Sequence, residues 1–357
     1  MPPRVSVLLC VHNGADRLRR TIDSVLTQSL CDLELIVVDD GSTDATPQVL
    51  ETIDDPRVRR ARHENRGLTA ALNVALRMAR GPFIARQDCG DASRPRRLAL
   101  QAERLEAEAR LGLAGCWAAL CLPDGAELMI ERRPTDNATL QARLPEEMCV
   151  FGAAAMFRRS AIDAVGGYCE AFRYAQDYDL CLRVAEQFEL AALPEVLYDC
   201  EAPLRGGISL DQVAEQLAYA AAAQDAARQR RAAASLMLAD DAQRFVRNAP
   251  SPADANARTR DLIEQRLAAI RPADRRGAQA RRLDCWARRL WDIGRRRAAA
   301  RLWARSAALT AAHPGAWSAG LGGLRFVAGR ALRKLRRVAP GGAIAPQRAP
   351  RRAREGA

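Results

Sequence analysis

The amino-acid sequence predicts an α/β fold, with a mostly parallel sheet flanked by helices and followed by a basic helical extension. In the first hundred residues, short apolar runs alternate with stretches in which apolar residues recur every three or four positions. This alternation is typical of parallel sheets with right-handed crossovers. From about residue 214 the sequence becomes rich in alanine and arginine with a helical pattern. At 357 residues the chain is long enough for two domains.

The first strand is predicted at residues 5–11, because this nearly continuous apolar run suits a strand buried on both faces. Residues 12–14 form a turn signal, and a helical stripe follows from Leu18 to Leu30. The alternation continues with a strand at 33–38, a helix through Leu50, a short strand at 58–61, a helix over 68–79 and a strand at 82–86.

Later elements are predicted in less detail. Residues 95–145 are expected to begin with a long helix and to continue with short strands. The predicted organisation is a domain over 1–210, an Ala/Arg-rich helical module over 211–339 and a disordered Gly/Pro/Arg-rich tail over 340–357. Within the module, Trp286, Trp291 and Trp303 are expected in the core, and 286–317 loosely resembles one helical hairpin of the tetratricopeptide type.

Charge and cysteine spacing exclude several classes of protein. Basic residues exceed acidic ones by 12, and the excess lies after residue 210. The ten cysteines contain no C-x-x-C spacing, which argues against a zinc ribbon or a thioredoxin-like redox site. No signal peptide or membrane span is recognised, so a cytoplasmic protein with reduced thiols is expected.

Polar residues follow three of the predicted strands. His12 and Asn13 follow the first strand, Asp39 and Asp40 follow the second, and Asp88 comes two residues after the strand at 82–86. In open α/β sheets, ligands bind beyond the carboxyl ends of the strands. One such residue alone would be interpreted as a strand terminator or a helix cap. The three groups together predict a ligand-binding site.

An ordered set of motifs over about residues 4–210 resembles glycosyltransferase family 2. The V-D-D-G-S-T-D segment of that family occurs letter for letter at 38–44. Further matches are N-R-G-L at 65–68, A-R-Q-D-C-G-D at 85–91, M-F-R-R-S at 156–160, V-G-G-Y at 165–168 and Q-D-Y-D-L at 176–180.

The resemblance implies the nucleotide-sugar-binding fold of the GT-A type, which is Rossmann-like, and transfer of a sugar with inversion at the anomeric carbon. It implies that Asp177 is the catalytic base, although the sequence also allows Asp177 to be only a helix N-cap. The residues it implies in donor binding are Cys10, His12, Asn13, Asp40, Arg66, Asn73, Arg86 and Asp88. Asp40 and the residues around 10–13 would bind the nucleobase of the donor, and Asp88 would bind the ribose or the diphosphate.

The metal motif departs from the family pattern. The family usually has D-A-D-D where this chain has D-C-G-D, so Gly90 stands at the position of a metal-binding carboxylate. Gly152 and Leu204 stand where the family often has histidine. The expected Mg²⁺ or Mn²⁺ site would then rest on Asp88 and Asp91.

Three interpretations of this departure are open. Asp91 replaces the missing ligand, with Gly90 making the loop pliable. Alternatively, an arginine such as Arg86, Arg94 or Arg205 neutralises the diphosphate without metal. In the third interpretation the enzyme is degenerate and binds nucleotide without turnover.

The C-terminal module contains a basic amphipathic helix over 321–338. Such a helix suits an anionic membrane surface, and it equally suits ordinary packing with a solvated basic face. Nucleic acid is a weaker interpretation, since no nucleic-acid motif or interleaved aromatic pattern is present.

The main hypothesis is an inverting glycosyltransferase of cell-surface polysaccharide synthesis. It would use a UDP- or dTDP-linked sugar and a saccharide or lipid-linked acceptor, in the cytoplasm and peripheral to the inner face of the membrane. The alternative is a catalytically degenerate nucleotide-binding scaffold that recruits partners at a membrane surface.

Overall fold

The computed structural model describes residues 2–202, 211–239, 252–270, 272–292 and 295–311. Its strands are β1 (Val5–Val11), β2 (Leu33–Asp40), β3 (Val58–His63), β4 (Phe83–Asp88), β5 (Ala92–Ser93), β6 (Leu111–Cys121), β7 (Glu127–Glu131), β8 (Met156–Arg158) and β9 (Glu189–Glu201). Its helices are α1 (Ala15–Leu26), α2 (Thr46–Glu51), α3 (Leu68–Met78), α4 (Arg97–Ala107), α5 (Asn137–Arg143), a 3-10 helix (Gly152–Ala154), α6 (Arg159–Ala164), α7 (Gln176–Ala185), α8 (Val213–Ala239), α9 (Pro252–Ala268), α10 (Pro272–Asp292) and α11 (Arg296–Ala311).

The described strands form one mixed sheet in the order β3-β2-β1-β4-β8-β6-β9-β5, with β7 paired to β6. The first four strands in this order are parallel, as the strand–helix alternation predicts. Strand β8 is antiparallel to both β4 and β6, and β9 is parallel to β6. The α/β class predicted from the sequence is therefore confirmed.

Strand β1 is at the centre of the parallel part and is buried on both faces. Its alternate residues enter two different apolar clusters, because successive side chains of a strand point to opposite faces. Val7 and Leu9 pack in a cluster with Leu18 and Ile22 of α1. Leu8 packs in the opposite cluster with residues of α3, α7 and α8. The continuous apolar run at 5–11 follows from this two-sided burial.

The expectation of a long helix followed by short strands within 95–145 was only partly right. Helix α4 ends at Ala107, and the next element is β6, an eleven-residue strand. Strand β6 is apolar on both faces because it lies inside the sheet, between β8 and β9. A continuous apolar run of this kind does not separate a buried strand from a buried helix by periodicity.

The helices after residue 211 pack on the sheet part in two places. Tyr219 of α8 lies in the same apolar cluster as Phe172 and α7. Helices α10 and α11 pack with Leu120 of β6 in a separate cluster, which contains Trp286 and Trp303. The core positions predicted for these two tryptophans are confirmed, and the division at residue 210 stays a prediction.

None of the helices in the described ranges combines the length and apolarity that a membrane span requires. The basic helix predicted over 321–338, the tail predicted over 340–357, and positions 204 and 205 lie outside the described residues.

Candidate active site

The carboxyl ends of three adjacent parallel strands carry the predicted polar residues. Strand β1 lies between β2 and β4, with Val11 opposite Asp39 and Cys10 opposite Asp88. Because neighbouring strands are about 4.8 Å apart, the residues that end β2 and β4 lie at one sheet edge, on either side of β1. The convergence predicted from the sequence is therefore present.

The loops that follow β1 and β2 are held together by Asn13. Asn13 has a left-handed backbone with φ of 54°, a conformation that asparagine tolerates well. Its Oδ1 accepts from the backbone N–H of Thr43 at 2.8 Å, and its own N–H donates to Ser42 Oγ at 2.9 Å. His12 is exposed beside it, with Nδ1 2.9 Å from the carbonyl oxygen of Asp40. His12 and Asn13 thus lie side by side at the position predicted for the nucleobase of the donor.

Asp40 is buried and shapes the next loop. Its two carboxylate oxygens accept from the backbone N–H groups of Arg66, at 2.8 Å, and Gly67, at 2.9 Å. Gly41, with φ of +70°, allows a close approach, since a Cβ there would lie 2.5 Å from the backbone nitrogen of Asn65. Asp40 therefore holds the backbone of the exposed residue Arg66 at the edge of the site. The predicted contact of Asp40 with the nucleobase stays a prediction.

The centre of the site is a buried arginine that connects two carboxylates. Arg86 of β4 is 4% exposed at its side chain and donates from Nη2 to Asp88 Oδ1 at 2.8 Å. Its Nη1 lies 3.5 Å from Oδ2 of Asp177, which is 91 positions away in the sequence and reaches the site from α7. Both carboxylates favour the charged guanidinium and raise the pKa of Arg86 against the opposing effect of burial. Asp88, predicted to bind the donor, and Asp177, predicted to be the catalytic base, are therefore joined by the side chain of Arg86.

Asp177 lies in the first turn of α7 and is partly exposed. Helix α7 is preceded by Ala175 in the left-handed conformation, with φ of 55°. The Oδ1 of Asp177 accepts from the N–H of Tyr178 at 2.9 Å. The helix is not capped by a side chain, so Asp177 is not its N-cap.

Gly152 makes room for the Asp177 carboxylate. A Cβ added at Gly152 would lie 2.8 Å from Cγ of Asp177 and closer still to its Oδ2. Gly152, which has no side chain, therefore lets the carboxylate rest directly on the 3-10 helix. This contact could not be found from the sequence, because the two positions belong to different elements.

Beneath the loop that follows β4 is a buried polar network that the sequence reasoning missed. The hydroxyl of Tyr198 donates to Asp91 Oδ2 at 2.9 Å and accepts from the backbone N–H of Asp88 at 3.1 Å. Arg97 is fully buried below it and donates to Ser93 Oγ at 2.6 Å and to the carbonyl oxygen of Arg86 at 2.6 Å. Burial is the main cause of the lowered pKa of Arg97. The available signal was that Arg97 is polar and directly precedes the apolar stripe of α4, which begins at Leu98.

The predicted metal pair does not fit a divalent cation. Asp91 is buried, and its oxygens accept from Tyr198 and from the backbone N–H of Glu201 at 2.9 Å. Burial, followed by the charge of Asp88, raises the pKa of Asp91 to about 7. Among the described residues no group of three His, Cys, Asp or Glu side chains could hold a metal ion. Mg²⁺ and Mn²⁺ prefer several hard oxygen ligands, and here Asp88 already has one oxygen on Arg86.

Two residues predicted for donor binding have other contacts in the structure. The thiol of Cys10 is packed in the apolar cluster below the strand end, and its burial raises its pKa. The amide of Asn73 accepts from the N–H of Tyr168 at 3.1 Å and donates to the carbonyl of Tyr168 at 2.9 Å. Asn73 therefore fixes the loop before α7, and any contact with the donor would compete with these bonds.

Comparison with known proteins agrees with this geometry. The family model for glycosyl transferase family 2 matches residues 6–166. The putative glycosyltransferase EpsE of Bacillus subtilis (strain 168) is 32% identical over 209 residues, which cover 55% of this chain and 72% of EpsE. The chondroitin synthase of Pasteurella multocida (strain Pm70) is 28% identical over 202 residues, 55% of this chain and 20% of that protein.

A third relative is the succinoglycan biosynthesis protein ExoO of Rhizobium meliloti (strain 1021). It is 43% identical over 106 residues, which cover 29% of this chain and 30% of ExoO. This chain thus spans less than a third of the length of ExoO and of the chondroitin synthase.

Among solved structures, S. aureus TarS 1-349 in complex with UDP-GlcNAc has a TM-score of 0.51 and 15% sequence identity, with 92% of each chain covered. This likeness concerns the fold, which is that of a GT-A enzyme. With the family model, the identity to EpsE and the order of the strand-end motifs in agreement, the chain belongs to glycosyltransferase family 2.

Proposed function

We propose that this protein transfers a sugar from a nucleoside diphosphate donor to a hydroxyl group of an acceptor, with inversion at the anomeric carbon. The observation that supports this proposal best is the bridge formed by Arg86. It places Asp88, at the end of a central strand, and Asp177, at the start of α7, on two sides of one guanidinium. A donor-binding carboxylate and a catalytic base need this proximity, because the attacked carbon lies between the leaving group and the acceptor.

The donor proposed is a UDP- or dTDP-linked sugar. His12 and Asn13 are exposed at the strand ends, where a nucleobase can contact them. Asp88 is half-exposed and is the carboxylate proposed for the ribose or the diphosphate. The acceptor proposed is a saccharide or a lipid-linked saccharide, in the synthesis of a cell-surface polysaccharide. Relatives named for succinoglycan biosynthesis and chondroitin synthesis support that assignment.

The reaction proposed is a single displacement. The acceptor oxygen attacks the anomeric carbon from the face opposite the diphosphate and forms the new glycosidic bond. The bond from this carbon to the diphosphate oxygen breaks, and the diphosphate keeps the electron pair. The proton of the acceptor hydroxyl passes to the carboxylate of Asp177. Since the described carboxylates do not fit a divalent cation, no step is assigned to a metal.

The location in the cytoplasm and the contact with the inner face of the membrane stay predictions. The contact with the membrane depends on the basic helix over 321–338, which lies outside the described residues. A lipid-linked acceptor would suit such a location, because the enzyme would meet its acceptor at the surface to which it binds.

The variant Asp177→Asn tests the proposed function. We expect a loss of transfer of roughly 10²- to 10⁴-fold, the usual contribution of a general base, with binding of UDP or dTDP retained. Transfer is measured with a panel of UDP- and dTDP-sugars and mixed saccharide acceptors, and nucleotide binding by calorimetry. The matched control is Asp163→Asn, which removes an exposed carboxylate of α6.

Two outcomes would contradict the proposal in different ways. Full transfer by Asp177→Asn would remove Asp177 from the mechanism. Nucleotide binding by the unchanged chain, with neither transfer nor hydrolysis of any donor, would favour the non-catalytic scaffold.

A further inference from the structure

The space beside Gly90 is occupied by an arginine of another element. A Cβ built on Gly90 would lie 3.4 Å from Cδ and 3.7 Å from Nη1 of Arg17. Gly90 has φ of +103°, and as a glycine it offers no side chain to the site. At the position where the family motif has a metal-binding carboxylate, this chain therefore presents a guanidinium from α1.

Helix α1 is fixed against this loop by Thr21. The buried Thr21 Oγ1 accepts from the backbone N–H of Gly90 at 2.9 Å and donates to the carbonyl of Asp91 at 2.9 Å. Arg17 is one turn before Thr21, and residues four apart lie on the same face of a helix. The two hydrogen bonds of Thr21 therefore hold the backbone of Arg17 in a fixed position beside the loop.

The guanidinium of Arg17 is available to an anion. Its side chain is 44% exposed, and its ion-pair partner in the structure is Asp16, 3.2 Å away and 76% exposed. An exposed pair of this kind contributes little free energy, so a more highly charged anion can replace Asp16. A second carboxylate, Glu201, borders the same space, with Oε2 3.7 Å from the point where the Cβ of residue 90 would lie.

Of the arginines considered from the sequence, Arg205 lies outside the described residues, and the other two are less suited to this role. Arg86 is buried between Asp88 and Asp177. Arg94 has ion pairs with Asp199, at 2.8 Å, and with Glu127, at 3.5 Å. Both are therefore already neutralised by carboxylates of the protein.

We propose that Arg17 binds the diphosphate of the donor at the position of the missing metal ligand, so that donor binding does not require a divalent cation. This inference rests on the proposed function. The guanidinium would donate two hydrogen bonds to phosphate oxygens and offset the negative charge that the diphosphate gains as its bond to the sugar breaks. The cation beside position 90 also disfavours a divalent cation there, in agreement with the poor fit of Asp88 and Asp91.

The test compares the binding of UDP and UMP by calorimetry, in EDTA and in Mn²⁺. We expect UDP to bind in EDTA, and Arg17→Ala to weaken UDP by about tenfold or more while changing UMP much less, because charged hydrogen bonds to the second phosphate are lost. The comparison with UMP separates a phosphate contact from a general effect on the fold. Arg19→Ala is the matched control, since Arg19 lies on the same helix and pairs with Asp23.

Other results would overturn this inference. Unchanged UDP affinity in Arg17→Ala would overturn it and leave the proposed function standing. UDP binding that requires Mn²⁺ and is lost in Glu201→Gln would show that Glu201 restores a metal site instead. If neither UDP nor dTDP binds the unchanged chain in EDTA or in Mn²⁺, both this inference and the proposed donor class fail.

Discussion

At the scale of single residues, the contact between Gly152 and Asp177 decides where the proposed base can lie. The carboxylate rests where any larger residue would place its Cβ. We expect Gly152→Ala to displace this carboxylate and to lower kcat by roughly 10- to 100-fold, with little change in UDP affinity, because misplacing a reacting group by about 1 Å is costly. Steady-state kinetics and calorimetry on the same preparation measure both quantities.

Gly115→Ala is the control for this variant. A Cβ at Gly115 of β6 would meet its nearest neighbour, Cβ of Ala192, at 3.4 Å, which is an ordinary contact distance. Both substitutions add one methyl group to a buried glycine, but only that at position 152 meets the base. Equal kinetics for the two variants and the unchanged chain would mean that the position of the Asp177 carboxylate does not matter for the reaction.

At the scale of elements, β9 holds the loop that follows β4 through one carboxyl group, that of Asp91. Asp91 is held by the hydroxyl of Tyr198 and the backbone of Glu201, both from β9. Its pKa is raised from 3.8 to about 7, first by burial and second by the charge of Asp88. The folded protein thus retains a proton that the unfolded chain releases near pH 4.

This difference predicts how stability depends on pH. The contribution of Asp91 to the free energy of unfolding is fully present below about pH 4 and is lost as the pH rises to about 7. We expect Asp91→Asn, which cannot release a proton, to lose less stability than the unchanged chain between pH 5 and pH 8. The difference should be on the order of one to a few kcal/mol, measured by urea denaturation at the two pH values.

Asp32→Asn is the control for the pH experiment, because Asp32 is exposed. It should keep the pH dependence of the unchanged chain. If Asp91→Asn also keeps that dependence, Asp91 titrates in the folded protein as it does in the unfolded chain, and the buried contacts with β9 do not alter its charge.

At the scale of the whole molecule, the sequence predicted what depends on local patterns. The strands and helices of the first ninety residues, and the convergence of Asp40 and Asp88, follow from apolar periodicity and from the parallel order of the strands. The sequence did not predict the contacts between distant elements, such as Gly152 with Asp177 or Arg17 with Gly90. These contacts depend on how α1 and α7 pack against the sheet, and a single sequence carries no periodic signal for such packing.

The same limit applies to the relation between the sheet part and the helices that follow it. The change in composition near residue 210 predicts a separate module, whereas α8 covers α7 in the structure. The ring of Tyr219 lies 6.2 Å from that of Phe172 and 5.5 Å from that of Tyr174. Gln224 donates to the hydroxyl of Tyr178 at 3.1 Å. The Ala/Arg-rich composition of these helices reflects mainly their exposed residues. The face of α8 that packs on α7 depends on a few residues, such as Tyr219 and Gln224.

This packing predicts that a chain ending at residue 210 is not stable as a separate domain. Without α8, we expect Phe172 and Tyr178, the residue after the proposed catalytic base, to face water. Losing the burial of one large aromatic side chain costs about 1.5–3 kcal/mol. We expect raised binding of an apolar dye, a lower melting temperature and faster hydrogen exchange in α7. A chain ending at residue 311, which keeps every described helix, is the control and should match the full chain. If the chain ending at 210 melts at the same temperature as the control, with α7 equally protected from exchange, then α8 does not support the active site and the division at residue 210 is a true domain boundary.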